Sequence, residues 1–245
     1  HGMKVDDLAK ANVTAAYVMP SHQYPTGGVM PIGRRAELLN WAAESPERYL
    51  IEDDYDSEFR YKGKPIPSLQ ASDGYGKVIY IGTFSKSIAP AIRVSYMVLP
   101  QSLLDIYREN CYFFSSTVSR INQRVLNEFI SGGYFERYLN KVRKQYREKH
   151  DRMLEQLKPF LKDFDLSGEN AGLHMLLTSK GRVSEEDLIH LAAEQGVKVY
   201  GLSDAYIQGE KQTNRQSCTV ILGYGSLSHE QIEEGLAHLQ KAWIK

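Results

Sequence analysis

Lys86 follows the hydroxyl residues Thr83 and Ser85 and precedes Arg93 by seven positions. An amine, two hydroxyls and a planar cation therefore share one short stretch. A lysine among apolar walls loses hydration, which disfavours its charged form and frees its lone pair to attack a carbonyl. Hydroxyl donors and a guanidinium match the oxygens of a phosphate. Upstream, the run Tyr-Leu-Ile-Glu-Asp-Asp-Tyr places Asp53 where an apolar segment ends in acids.

The elements around these residues must bring them together. Residues 78–81, Val-Ile-Tyr-Ile, read as a buried strand that Gly82 ends. Pro90 limits any helix after Lys86, and a further apolar run covers 94–99. Lys86 and Asp53 thus each follow a strand, where open α/β sheets bind ligands. A ligand with both an aldehyde and a phosphate is pyridoxal 5'-phosphate, held as a Schiff base. It also requires an acid opposite its ring nitrogen, the place expected for Asp53. A Ser-Lys pair after a strand is by itself usually a solvated loop; the combination carries the reading.

Three stretches extend it: Met-Pro-Ser-His-Gln-Tyr-Pro-Thr-Gly at 19–27, Glu-Asp-Asp-Tyr-Asp-Ser-Glu-Phe-Arg-Tyr at 52–61, and Gly-Thr-Phe-Ser-Lys at 82–86 with Arg93. On these the chain resembles the C-terminal part of fold-type I aminotransferases. It is most similar to the MocR subgroup of GntR-type transcriptional regulators, including their GABA-responsive members. The resemblance implies an α/β fold: part of a large pyridoxal-phosphate-binding domain over 1–132, a connecting helix over 133–160, and a small α+β domain over 161–245. It implies a Schiff base at Lys86 and cofactor contacts from Asp53, Tyr55, Thr83, Ser85 and Arg93, with Tyr55 reaching the phenolic oxygen. His22 is expected as a loop histidine packed near the cofactor's edge. In aminotransferases the tetrad here is Asn-Pro-Thr-Gly and its Asn contacts the phenolic oxygen; this chain has Tyr24 in that place, as the regulators have an aromatic.

The chain has 245 residues, 42% hydrophobic and 24% charged, which fits a globular protein. Lys+Arg and Asp+Glu are 30 each, so no basic footprint of a nucleic-acid binder is present. Cys111 and Cys218 form no disulfide framework and have no metal-ligand spacing. No signal peptide and no run of ~18 apolar residues is seen, so a cytoplasmic protein is expected. The first residue is His1, close to the first strand, which reads as a piece of a longer protein. The resemblance would place a DNA-binding winged helix-turn-helix, and the start of the aminotransferase-like domain, ahead of it.

Elsewhere, residues 15–19 read as a buried strand and 34–44 as an amphipathic helix with Leu38, Leu39, Trp41 and Ala42 on one side. The segment after Tyr55, with Asp56, Glu58 and Arg60, reads as a solvated loop. Helices are expected over 101–110, 118–130 and 135–157, and Tyr112, Phe113 and Phe114 as core or subunit interface. The last part reads strand (173–178), helix capped by Ser184, strand (197–200), strand (218–222), and a helix opened by the capping box Ser228/Gln231.

A substrate carboxylate calls for an arginine. The strand 217–222, which carries it in aminotransferases, has none. The clamp lies outside this chain, or Arg215 supplies it, or recognition is altered by Asp204, an acid that suits an amine or a cation. Three functions follow. The first is a homodimeric effector-binding domain sensing an amino compound, GABA by resemblance, through exchange of internal for external aldimine at Lys86. The second is a true pyridoxal-phosphate-dependent aminotransferase, and the third a dimerisation domain without cofactor.

Overall fold

The computed structural model describes residues 2–63, 66–181, 183–206 and 218–244. The chain divides into two compact units. One comprises 1–23, 28–58 and 64–143, the other 24–27, 59–63 and 144–245.

The first unit opens with helix α1 (Val5–Lys10) and strand β1 (Ala15–Val18), followed by α2 (Ile32–Ala43), β2 (Tyr49–Asp54) and β3 (Val78–Thr83). A short helix α3 (Phe84–Ser87) leads to β4 (Ser95–Val98), and then come α4 (Gln101–Cys111) and α5 (Arg120–Ser131). The sheet order is β1-β2-β3-β4. The first three strands are parallel and β4 is antiparallel to β3. Alternation sends Ala16, Val18, Leu50 and Val78 to one face, where Leu38, Trp41 and Ala42 of α2 cover them. Tyr17, Ile51, Asp53, Ile79, Ile81 and Met97 alternate with that set and are half-buried or exposed.

The covered face also holds polar groups, each with partners. Glu52 is wholly buried and accepts the backbone N–H of Leu69 at 2.8 Å and of Gln70 at 2.9 Å. Burial pushes its carboxyl up, against the pull of those two amides. Arg35 is buried and donates to the carbonyls of Met30, Pro67 and Pro20. A guanidinium can tie three loop carbonyls at once because its donors are fixed in a plane. This fastens the loop after β1.

Helix α6 (Tyr134–Leu157) carries the chain from the first unit, which ends at Arg143, into the second. There follow β5 (Phe164–Ser167), β6 (His174–Ser179), α7 (Glu185–Glu194), β7 (Tyr200–Gly201), β8 (Thr219–Gly223) and α8 (His229–Trp243). The second sheet is antiparallel throughout, in the order β5-β6-β8-β7. Its core joins Met153, Leu157, Phe160, Met175, Leu177, Val220, Leu222, Tyr224, Ile232 and Leu236. Ser184 accepts from the Asp187 amide, and Ser228 and Gln231 form the expected capping box.

The structure departs from expectation at three places. β5, Phe-Asp-Leu-Ser, was not anticipated, since two of its four residues are polar. The strand expected over 197–200 is the two-residue Tyr200–Gly201. Tyr112, Phe113 and Phe114 are 82%, 64% and 68% exposed, which excludes core, one of the two expectations for them, and leaves the other, subunit interface, untouched. No described helix is long and apolar enough to cross a membrane.

Candidate functional site

In the first unit β1, β2 and β3 run parallel, so their carboxyl ends share one edge of the sheet. β4 runs the other way, so its start lies at that edge too. The edge therefore gathers His22 after β1, Asp53 and Tyr55 at the end of β2, Thr83 to Lys86 after β3, and Arg93 before β4. Register fixes the order, with Asp53 beside Ile81 and Thr83 beside Ser95. Residues up to 71 positions apart in sequence, His22 and Arg93, converge here through topology alone.

Asp53 lies on the less covered face. The Tyr17 hydroxyl donates a hydrogen bond to its Oδ2. Burial first, and the bond and charge of Asp53 after it, push Tyr17 up to about 12, so it stays protonated and keeps donating at neutral pH. Tyr17 escaped sequence reasoning. Its signal was the alternation in β1: Tyr17 pairs with Ile51 and so faces the same way as Asp53, two residues on.

Thr83 is more occupied than expected. Its Oγ1 caps α3 by accepting the Ser85 N–H at 3.1 Å and lies 3.3 Å from the Val94 carbonyl, to which it donates. Lys86, in α3, is exposed. Arg93 is exposed and left-handed, with φ 47° and ψ 40°, a conformation uncommon outside glycine and often seen at functional sites.

His22 is buried. Its Nδ1 lies 2.8 Å from Asp56 Oδ2 and 3.0 Å from the Tyr55 hydroxyl. The segment after Tyr55 is no solvated loop: Asp56 and Phe59 are buried. Asp54 accepts from Tyr80 at 2.7 Å and from Ser57 at 2.8 Å. Burial, then the charges of Asp54 and Asp56, push Glu58 up to about 7, while Arg143 pulls the other way.

Tyr24 belongs to the second unit, where its ring meets His174 edge-on at 5.7 Å and the Tyr24–Pro25 bond is cis. Asp204 is exposed in a 3-10 turn (Ser203–Ala205) of that unit. Arg215 lies outside the described residues. Among the described residues no group of His, Cys, Asp and Glu could hold a metal ion.

The donor set at the sheet edge fits pyridoxal phosphate: an amine for its aldehyde, a hydroxyl and a guanidinium for its phosphate, and an oriented carboxylate for its ring nitrogen. A mixed sheet with this set beyond the carboxyl ends of its three parallel strands is what a cofactor-binding α/β protein of the aminotransferase type presents. The chain belongs to the aminotransferase class I and II family, whose model matches residues 4–238. Pyridoxal phosphate is the cofactor of this fold-type I family.

Over 243 residues and 99% of this chain it is 44% identical to the HTH-type transcriptional regulator YhdI of Bacillus subtilis, covering 50% of that protein. It is 31% identical over 244 residues to the probable rhizopine catabolism regulatory protein MocR of Rhizobium meliloti, covering 99% of this chain and 48% of that one. Its fold matches LysN, the α-aminoadipate aminotransferase of Thermus thermophilus, solved with N-(5'-phosphopyridoxyl)-L-leucine. The TM-score is 0.80 at 28% identity, over 97% of this chain and 61% of that one. The chain spans about half the length of the curated relatives it matches.

Proposed function

We propose that this chain is the cofactor-bearing, effector-sensing part of a transcriptional regulator, acting as a homodimer in the cytoplasm. DNA would be bound by a separate N-terminal domain. The observation that carries the reading is the edge constellation of Asp53, Tyr55, Lys86 and Arg93, in a chain 44% identical to an HTH-type regulator. When bound, pyridoxal phosphate supplies an aldehyde that condenses with amines and a ring that withdraws electrons.

The residues divide that work. Lys86 presents its amine beyond β3. Asp53, to which Tyr17 donates, would accept from the ring nitrogen. Thr83, Ser85 and Arg93 would hold phosphate oxygens. Tyr55, beside His22, would donate to the phenolic oxygen. Tyr24 replaces the aminotransferase Asn without its amide. An amino compound, GABA by resemblance, would exchange with the Lys86 amine and bias the protein between two conformations. Its remaining group would be read by Asp204, by Arg215 or by residues outside this chain.

A second reading, an active aminotransferase, draws on 30% identity over 230 residues to the 2-aminoadipate transaminase of Thermus thermophilus. The test is a visible absorption spectrum of the complete protein with pyridoxal phosphate, with and without GABA, beside Lys86→Ala. A band that needs Lys86 and changes with GABA supports sensing. Sustained formation of pyridoxamine phosphate with GABA and its return with a keto acid would favour the enzyme. A band unaltered by GABA would reject GABA as effector.

A further inference from the structure

His22 and Asp56 form a buried pair that the reading above uses only in passing. Their side chains are 1% and 3% exposed. His22 sits in the loop after β1, and Asp56 follows β2. The histidine loop is fastened, since Arg35 donates to Pro20 at 2.7 Å, the Met30 N–H donates to the same carbonyl, and the Gln23 N–H donates to Gly28. The histidine is thus set by the scaffold before any ligand arrives. The third member, the Tyr55 hydroxyl, stands 3.0 Å from the same Nδ1 that faces Asp56.

One nitrogen with two oxygen neighbours decides which way hydrogens point. An ionised carboxylate can only accept, so Asp56 selects the tautomer with hydrogen on Nδ1. The Tyr55 oxygen beside that hydrogen can accept a share of it, but the Tyr55 hydroxyl cannot donate to a nitrogen already carrying hydrogen. Its own hydrogen is therefore directed to another acceptor.

We propose that the His22–Asp56 pair is a positioning device that aims the Tyr55 hydroxyl as a donor. The inference rests on the reading of Tyr55 as donor to the cofactor's phenolic oxygen. With Tyr24 in the place of the aminotransferase Asn, that donation carries more of the control of the oxygen's ionisation. Asp53, Lys86 and Arg93 share the sheet edge with Tyr55, and Asp54, Asp56 and Arg143 act on nearby Glu58. Glu58, held up to about 7, titrates in the same range, so each variant is also made on the Glu58→Gln background.

Asp56→Asn keeps one acceptor oxygen and adds a donor with little change of shape. Its amide N–H can face Nδ1, which moves the histidine hydrogen to Nε2. Nδ1 then competes for the Tyr55 hydrogen. The pH dependence of the visible band of the complete protein with pyridoxal phosphate reads this out. A donated hydrogen bond stabilises the ionised phenolic oxygen and lowers the midpoint, so Asp56→Asn should raise it by about one pH unit, the scale of one hydrogen bond to a charged group. Tyr55→Phe should raise it similarly, and the double variant no further than Tyr55→Phe alone. An unchanged midpoint in an Asp56→Asn variant whose His22 hydrogen has moved to Nε2 by nitrogen NMR, or a shift that persists in full on the Tyr55→Phe background, would overturn the proposal.

Imidazole nitrogen NMR of His22 in the cofactor-free protein is an independent readout. Hydrogen on Nδ1 in the wild type is expected, and hydrogen on Nε2 there would overturn the proposal even if Asp56→Asn failed to fold. A wild-type protein with no band at all would instead sink the cofactor reading and the Tyr55 role with it, while the NMR result would still decide the tautomer.

Discussion

The backbone of Gly27 lies so close to that of Gly168 that a β-carbon added at Gly27 would stand 2.6 Å from the Gly168 Cα. Gly27 also has φ +68°, where an L side chain is strained. Clash and strain act together, and the obstacle is backbone rather than a flexible side chain. Gly27→Ala is expected to destabilise the protein by roughly 2–4 kcal/mol. Thermal unfolding beside Gly33→Ala, where a β-carbon meets nothing within 4 Å, checks it, and equal melting temperatures would refute it.

Glu52 offers two acceptors to two amides in a buried place. Glu52→Gln leaves one acceptor and turns an amide N–H toward a backbone donor. The loss should be about 2–3 kcal/mol at neutral pH, measured by denaturant unfolding. Because burial raises the carboxyl, the wild-type advantage should be no larger at high pH than near pH 5.

Glu58 gives a pH signature. Its folded pKa, about 7, stands above the ordinary value of 4.5, so the folded state holds a proton that the unfolded state releases. The stability associated with Glu58 is complete below about pH 4.5 and is lost as pH rises through 7. Glu58→Gln should thus match wild type near pH 4.5 and exceed it by about 1–3 kcal/mol at pH 8. Parallel stability–pH curves for the two proteins would contradict this.

Tyr17→Phe removes a donor from Asp53 without altering the ring that packs on the sheet. On the proposed function it should weaken pyridoxal phosphate binding about tenfold, less than a fully buried charged hydrogen bond would give, because Tyr17 is 49% exposed. In the wild type this contribution holds below pH 10 and disappears as pH rises through about 12. Equilibrium dialysis of both proteins at pH 7.5 and pH 9 decides it, and unchanged affinity would free Asp53 from any dependence on Tyr17.

Much of the chain was legible because local rules governed it. The apolar runs before Asp53 and Lys86, the helix stripe of Leu38, Trp41 and Ala42, and the box of Ser228 with Gln231 each depend on neighbours a few residues away. β5 was missed because Asp165 and Ser167 break the apolar run that marks the equally short β1, and it is held by its antiparallel partner β6. The loop after Tyr55 was read as solvated from its charges. Asp56 is buried because His22, 34 positions earlier, offers it a partner.

The sequence by itself determined the reactive groups and the elements that end beside them: Lys86 after one apolar run, Asp53 after another, Arg93 before a third. Residue type and spacing suffice for that, since strands and turns are set by local chemistry. Only the tertiary structure decided which groups face one another. Parallel register turned Tyr17 toward Asp53, an antiparallel β4 brought Arg93 to the edge where β3 ends, and burial gave Glu58 a pKa near 7. These follow from contacts between distant segments and from the loss of water around them, neither of which is encoded in any single stretch of the chain.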